Sequence, residues 1–288
     1  MSKTRILLDG LCFPEGPRWH DGKLWFSDMH GPNVMTVDLN GKSEIVATVE
    51  NSPSGLGWLP DGRLLIVSMH DRKLLVRGPD GKLGVHADIS KLASFHCNDM
   101  VVDAKGRAYV GNFGYDLLSG APRKPAEIVL VMPDGKARIV ATDVQFPNGA
   151  VITPDGKTLI VAETMASCLT AFDIAPDGSL GNRRVWAKVD GSTPDGIALD
   201  AEGGIWVATP DLGGGSPFAH CCFRVLEGGK ITDRIAVETE TFAVALGGPG
   251  RKTLFIATAS DYHAESSKKS RTGRIECIEV SVPGAGFP

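Results

Sequence analysis

Glu15, Asn98, Asn148 and Asp195 stand at one register of an internal repeat and offer only oxygen as a donor. The register is found by aligning the repeats on the apolar residue ahead of each turn (Trp19, Trp58, Val102, Ile152, Leu199, Leu246). Four places before those residues lie Glu15, Ser54, Asn98, Asn148, Asp195 and Phe242. Two carboxylates and two amides gathered in a low dielectric repel one another unless a cation joins them. An all-oxygen set suits Ca²⁺, Mg²⁺ or Mn²⁺, and Zn²⁺, which usually prefers His or Cys, accepts carboxylates as well. One divalent cation is therefore expected, with calcium favoured. Four protein ligands leave positions for water and substrate, the arrangement that metal-assisted hydrolysis requires.

The competing explanation is that these are turn residues, since Pro-Asp-Gly occurs six times. Register separates the two. Asp61, Asp80, Asp134, Asp155 and Asp177 fall in hairpin turns, whereas Asp195 precedes its own strand, whose turn follows at Asp200-Ala-Glu-Gly.

The elements that must carry this ring are legible in the repeat. Trp19-His-Asp-Gly-Lys-Leu-Trp-Phe returns as Trp58-Leu-Pro-Asp-Gly-Arg-Leu-Leu, Val102-Asp-Ala-Lys-Gly-Arg-Ala-Tyr and Ile152-Thr-Pro-Asp-Gly-Lys-Thr-Leu. It returns again as Leu199-Asp-Ala-Glu-Gly-Gly-Ile-Trp and Leu246-Gly-Gly-Pro-Gly-Arg-Lys-Thr-Leu. A period of about 40–50 residues built from short strands is the signature of propeller blades. Each unit has an apolar strand, a glycine turn and a second strand rich in β-branched residues, such as Leu64–Ser68. A third strand alternates with period two, and a fourth follows, such as Glu44–Val49. The sixth unit has only three strands, and the opening segment Thr4–Leu8 is expected to supply its fourth. The fold class is all-β: a six-bladed β-propeller of four-stranded antiparallel blades, its last blade closed by the N-terminal strand. One domain is expected over residues 1–288.

Bulk properties exclude several classes. The chain of 288 residues has a formal charge of -4 and no Lys/Arg cluster, which argues against nucleic acid or a membrane as partner. Its opening residues are expected to be neither an export signal nor an anchor, and no apolar run reaches the roughly 18 residues of a spanning helix. A cytoplasmic location is expected, with all six cysteines reduced (Cys12, Cys97, Cys168, Cys221, Cys222, Cys277). No G-x-S-x-G elbow or G-x-G-x-x-G loop is present, so a serine hydrolase and a nucleotide cofactor are both disfavoured.

Inner strands that begin at the ring place the ends of the second strands there too. The mouth is then built from Asp28–His30, Met69–His70, Asn112–Asp116, Glu163–Met165, Asp211–Cys222 and Asp261–Arg271. His70, Asn112, Phe113 and Tyr115 become candidates for substrate contact, together with His96 beside Asn98. His30, His220 and His263 are weighed as ordinary surface residues.

Four phrases carry a resemblance: Phe13-Pro-Glu-Gly-Pro-Arg-Trp, Cys97-Asn-Asp-Met-Val-Val-Asp, Phe146-Pro-Asn-Gly-Ala and Thr193-Pro-Asp-Gly-Ile. With them the chain resembles the gluconolactonase family that includes senescence marker protein (regucalcin). The resemblance spans nearly the whole sequence. It implies a divalent metal held by Glu15, Asn148 and Asp195, with Asn98 as fourth ligand or substrate contact and Asp195 as general base. It implies a small-molecule lactone, such as gluconolactone, as substrate. Family members acting on sugar lactones tend to carry Arg two residues before the position of Asn98, and here that residue is His96, which lacks a bidentate fork. Hydrolysis of an aromatic or aliphatic lactone, of other esters or of organophosphates therefore stays open, as does a non-catalytic calcium-binding regulator. No protein partner is indicated.

Overall fold

The computed structural model describes residues 3–286; residues 1, 2, 287 and 288 of the single-domain expectation lie outside that span. Six four-stranded antiparallel sheets stand in a ring, and the molecule is a six-bladed β-propeller. The first blade shows the plan, running outward through Pro14–His20, Lys23–Asp28, Asn33–Val37 and Ser43–Thr48. The other innermost strands are Pro53–Trp58, Cys97–Val102, Pro147–Ile152, Ile197–Leu199 and Glu240–Gly247. The expected turns lie between the first and second strands, with Gly62 and Gly156 at φ of 84° and 69°.

The opening strand extends further than expected, over Arg5–Leu11, and pairs antiparallel with Gly273–Glu279 to complete the sixth blade. Leu7 and Leu11 turn inward there against Phe255, Ile275 and Cys277. The core lies between neighbouring sheets: Leu65, Val67 and Met100 join blades two and three, and Ile160, Ile197 and Val207 join blades four and five. Outer strands are half-exposed and polar, as at Leu180–Lys188. One short helix, Ala264–Ser270, sits in the loop of blade six. Among the described residues no helix is long and apolar enough to cross a membrane. All six cysteines are free and buried.

Candidate active site

The ring residues owe their aim to local irregularities of the inner strands. Ladder pairing slips just after Glu15, Pro53, Cys97, Pro147 and Thr241, so the innermost strand bulges at the same height in five blades. A bulge turns a strand and redirects its side chains, here toward the axis. Crowding near the axis demands small neighbours. A Cβ on Gly149 would lie 2.6 Å from Ile197 N and 2.7 Å from Asp195 O, and one on Gly196 would lie 2.4 Å from Ala243 Cβ. Inner strands therefore meet through backbone, with Gly149 N donating to Asp195 O (3.2 Å) and Gly196 N to Phe242 O (2.8 Å).

Glu15, Asn98, Asn148 and Asp195 come together on the floor of one cavity, as the register argument required. Asn98, Asn148 and Asp195 are buried, and the accessible edge of Glu15 faces the cavity it lines. Each amide donates an N–H to the protein. Asn148 Nδ2 donates to Thr164 Oγ1 (3.2 Å), whose hydroxyl donates onward to Pro194 O (2.8 Å), and Asn98 Nδ2 makes a long contact to Pro147 O (3.4 Å). That network assigns the amide orientation and leaves both Oδ1 atoms unused. Glu15 Oε2 accepts from Gly16 N (3.0 Å), and Asp195 Oδ1 is buried with no hydrogen-bond partner.

Burial drives the protonation of both acids. Desolvation raises Glu15 to about 8, with Asp99 adding to the rise against the opposing Gly16 N–H and Arg18. Desolvation raises Asp195 well above the usual carboxylate range, and the charges of Glu15 and Asp99 push it in the same direction against the smaller opposing influence of the Asn148 amide and Gly196 N–H. Behind the lining Arg18 pairs with Asp99 at 2.7 Å and donates to Met100 O (2.8 Å), a buried ion pair that the sequence had not singled out. Two strained acids, a partnerless carboxylate oxygen and two free amide oxygens form a donor set that fits a hard divalent cation. Among the described residues no three His, Cys, Asp or Glu side chains converge as a metal site, here or elsewhere; this donor set has two acids and two amides.

Above this floor the cavity, of about 160 Å³, has a mainly apolar wall. Phe13 meets Phe242 edge-on (centroids 4.6 Å apart), and Phe113 stacks on Phe146 (4.5 Å). His96 stacks on Phe95 (4.1 Å) and lies 4.7 Å from His70. Desolvation lowers the pKa of His30, His70 and His96, so all three imidazoles are held toward the neutral form.

His70, His96 and Phe113 line the cavity as expected, and so does His30. Asn112 and Tyr115 do not. Asn112 is fully buried, its Oδ1 accepting from Phe95 N and Gly114 N while Nδ2 donates to Glu127, so its polarity is consumed in holding the loop. Tyr115 is buried against Phe146. Ser54 is buried away from the lining. Met29, Met69, Met165 and Leu212, inside the expected mouth segments though not singled out, belong to the wall, and so does Phe95, which lies outside them. Phe146 does too, and its φ of 60° is unusual for a bulky residue. Only their places in the mouth loops, or next to a ring residue, could have marked them.

Residues 13–260 match the family described as the SMP-30/Gluconolactonase/LRE-like region, and the chain belongs to that family. Pentonolactonase XacC of Haloferax volcanii is 27% identical over 99% of this chain and 96% of its own length. The diisopropyl-fluorophosphatase of Loligo vulgaris is 26% identical over 86% of this chain and 83% of that protein. Among solved structures, the calcium-binding protein regucalcin of Agrobacterium tumefaciens superposes with a TM-score of 0.81 at 22% identity, covering 100% of this chain and 99% of that one.

Proposed function

We propose that this chain is a divalent-metal-dependent hydrolase that opens lactone rings, working as one domain around the cavity at its hub. The observation that carries the proposal is the buried pair Glu15 and Asp195, with Asp195 Oδ1 unpartnered and the Asn98 and Asn148 oxygens free beside it. The likeness to a pentonolactonase over nearly the full length of both chains supports the choice of lactone.

Glu15, Asn148 and Asp195, joined by Asn98, would hold the cation. When bound, it supplies positive charge that keeps both acids ionised and polarises an acyl carbonyl. Asp195 is the proton acceptor for the attacking water, a role open only to its ionised form. Thr164 holds the Asn148 amide by accepting from its Nδ2, which leaves the amide oxygen available to the reacting centre. The mainly apolar wall limits the water around the acyl group, which strengthens each charge on the floor. In the reaction the water oxygen bonds to the acyl carbon and the ring C–O bond breaks. One water is consumed, and a hydroxy-carboxylate and one proton are produced.

The test is lactone hydrolysis followed by pH-indicator absorbance on metal-stripped protein, with Ca²⁺, Mg²⁺, Mn²⁺ or Zn²⁺ restored in turn. Turnover that returns with one of these ions is expected. Metal binding without turnover of any lactone would leave a binding protein and overturn the proposal. The likeness to a fluorophosphatase favours a second activity at the same floor, attack of water on a phosphoryl centre. Fluoride release from a dialkyl phosphorofluoridate in the same metal series would reveal it.

A further inference from the structure

We propose that the substrate taken by this cavity carries an apolar substituent, an aryl ring or a short alkyl chain, where a sugar lactone would carry hydroxyls. The inference rests on the lactonase reading for its reaction and on the walls of the cavity for its substrate.

The polar groups are confined to one end. Glu15, Asn98, Asn148, Thr164 and Asp195 form the floor, and the wall above contains neither Arg nor Lys. Of the polar groups that remain in the wall, His30 already contacts Tyr262 O through Nε2 (3.0 Å), and Asp116 Oδ1 accepts from Ser119 N (3.1 Å). That leaves the second carboxylate oxygen of Asp116, the Tyr262 hydroxyl, and His70 and His96 with one donor and one acceptor each in their neutral forms, fewer polar groups than a polyhydroxylated ring would engage. A sugar lactone presents several hydroxyls, and in an apolar pocket each unmatched hydroxyl lowers kcat/KM by up to about a hundredfold.

What the wall offers instead is aromatic and thioether surface. His96 stands where the sugar-lactone members of the resembled family tend to carry Arg. Here it stacks on Phe95 and meets Phe113 edge-on at 6.4 Å, beside the stacked pair Phe113 and Phe146. Met29 and Met69, both buried, are adaptable apolar walls. The cavity's volume of about 160 Å³ matches that of an engineered apolar cavity, about 150 Å³, that admits benzene. One ring therefore fits above the floor. At the rim Leu118 is 61% exposed, an apolar surface that a longer substituent would cover. Hydrolysis balances as before, the substituent remaining on the hydroxy-acid product.

The experiment compares δ-lactones that share a ring and a secondary alkoxide leaving group. Glucono-1,5-lactone is set against δ-valerolactones bearing propyl or phenyl on the carbon next to the ring oxygen, with rates normalised to uncatalysed hydrolysis and metal restored. The matching δ-lactams, which resist hydrolysis, are titrated calorimetrically in parallel. A preference of about a hundredfold in kcat/KM for the propyl and phenyl compounds is expected. Phe113→Ala is expected to cut the ratio of phenyl to unsubstituted δ-valerolactone about tenfold, with Phe113→Leu restoring part of it. The exposed Leu118→Ser, which does not threaten folding, is expected to lower the ratio of heptyl-substituted to unsubstituted δ-valerolactone, the heptyl chain being long enough to pass the ring's place and reach the rim. Equal or better turnover of glucono-1,5-lactone overturns the inference and leaves the lactonase reading intact. No turnover of any lactone, with the phenyl lactam still binding more tightly than the unsubstituted one, sinks the lactonase reading and upholds the apolar occupant. Absence of both turnover and lactam discrimination overturns the inference.

Discussion

Asp195 is buried with an oxygen that nothing in the protein satisfies, next to a second buried acid. Such an arrangement is costly to folding and persists where something outside the chain compensates. Replacing Asp195 by Asn keeps shape and removes the proton acceptor. Turnover should fall by roughly three orders of magnitude, within the range of a general base, while circular dichroism stays unchanged; substantial remaining activity would exclude the base role. Glu15 yields a pH test whose sign is fixed by its folded-state value of about 8, against an ordinary 4.5. The folded protein holds this proton more tightly than the unfolded chain does. Without metal, that contribution is therefore full below about pH 4.5 and is lost as pH rises to about 8. Thermal scans of metal-stripped protein from pH 5 to 9 are expected to show a declining Tm, which bound Ca²⁺ flattens. Glu15→Gln should stabilise the stripped protein at the alkaline end and weaken calcium binding; a loss of Tm there would contradict the account of the raised acid.

At the scale of the element, the inner strands do two jobs: they pack blade to blade and they aim the ring. Gly149 shows how closely the two are joined. A methyl group there would sit within 2.7 Å of backbone atoms of Asp195 and Ile197, which cannot move without separating blades four and five. Gly149→Ala is expected to cost about 1–3 kcal/mol, as overpacking does, and to weaken metal binding through the shifted Asp195. Calorimetric unfolding and a calcium titration would check both; an unchanged Tm would mean that the blades yield more easily than this contact implies. The strands themselves were legible from Val, Ile and Leu runs such as Leu64–Ser68. The bulges after Glu15 and Pro147 were not, because an extra residue in a ladder leaves no mark in composition or period. Asn112 illustrates the same limit. Its position after a second strand pointed to the mouth, yet the loop folded back and consumed its amide.

At the scale of the whole molecule, stability depends on closing the ring. The strand Arg5–Leu11 buries Leu7 and Leu11 and covers the edge of Gly273–Glu279. Removing residues 1–11 empties two buried leucine sites at about 2–5 kcal/mol each and bares a strand edge. Against a total stability of about 5–15 kcal/mol, the shortened chain is expected to be largely unfolded or associated in size-exclusion chromatography. A monomer with an unaltered Tm would show that blade six needs only three strands.

The sequence by itself determined the number of blades, the closure by the first strand and the height of the ring. Each follows from period and register, which are one-dimensional properties of a repeat. It also brought Glu15, Asn98, Asn148 and Asp195 together, because equivalent positions of a closed ring face one axis. Only the tertiary structure decided which mouth residues reach the cavity and how polar its wall is. Phe95, Phe146, Met69 and Leu212 lie in different blades, and their shared surface exists only once the loops have packed. The protonation of Glu15 and Asp195 was decided there as well, since desolvation depends on everything that surrounds a group and not on its neighbours in the chain.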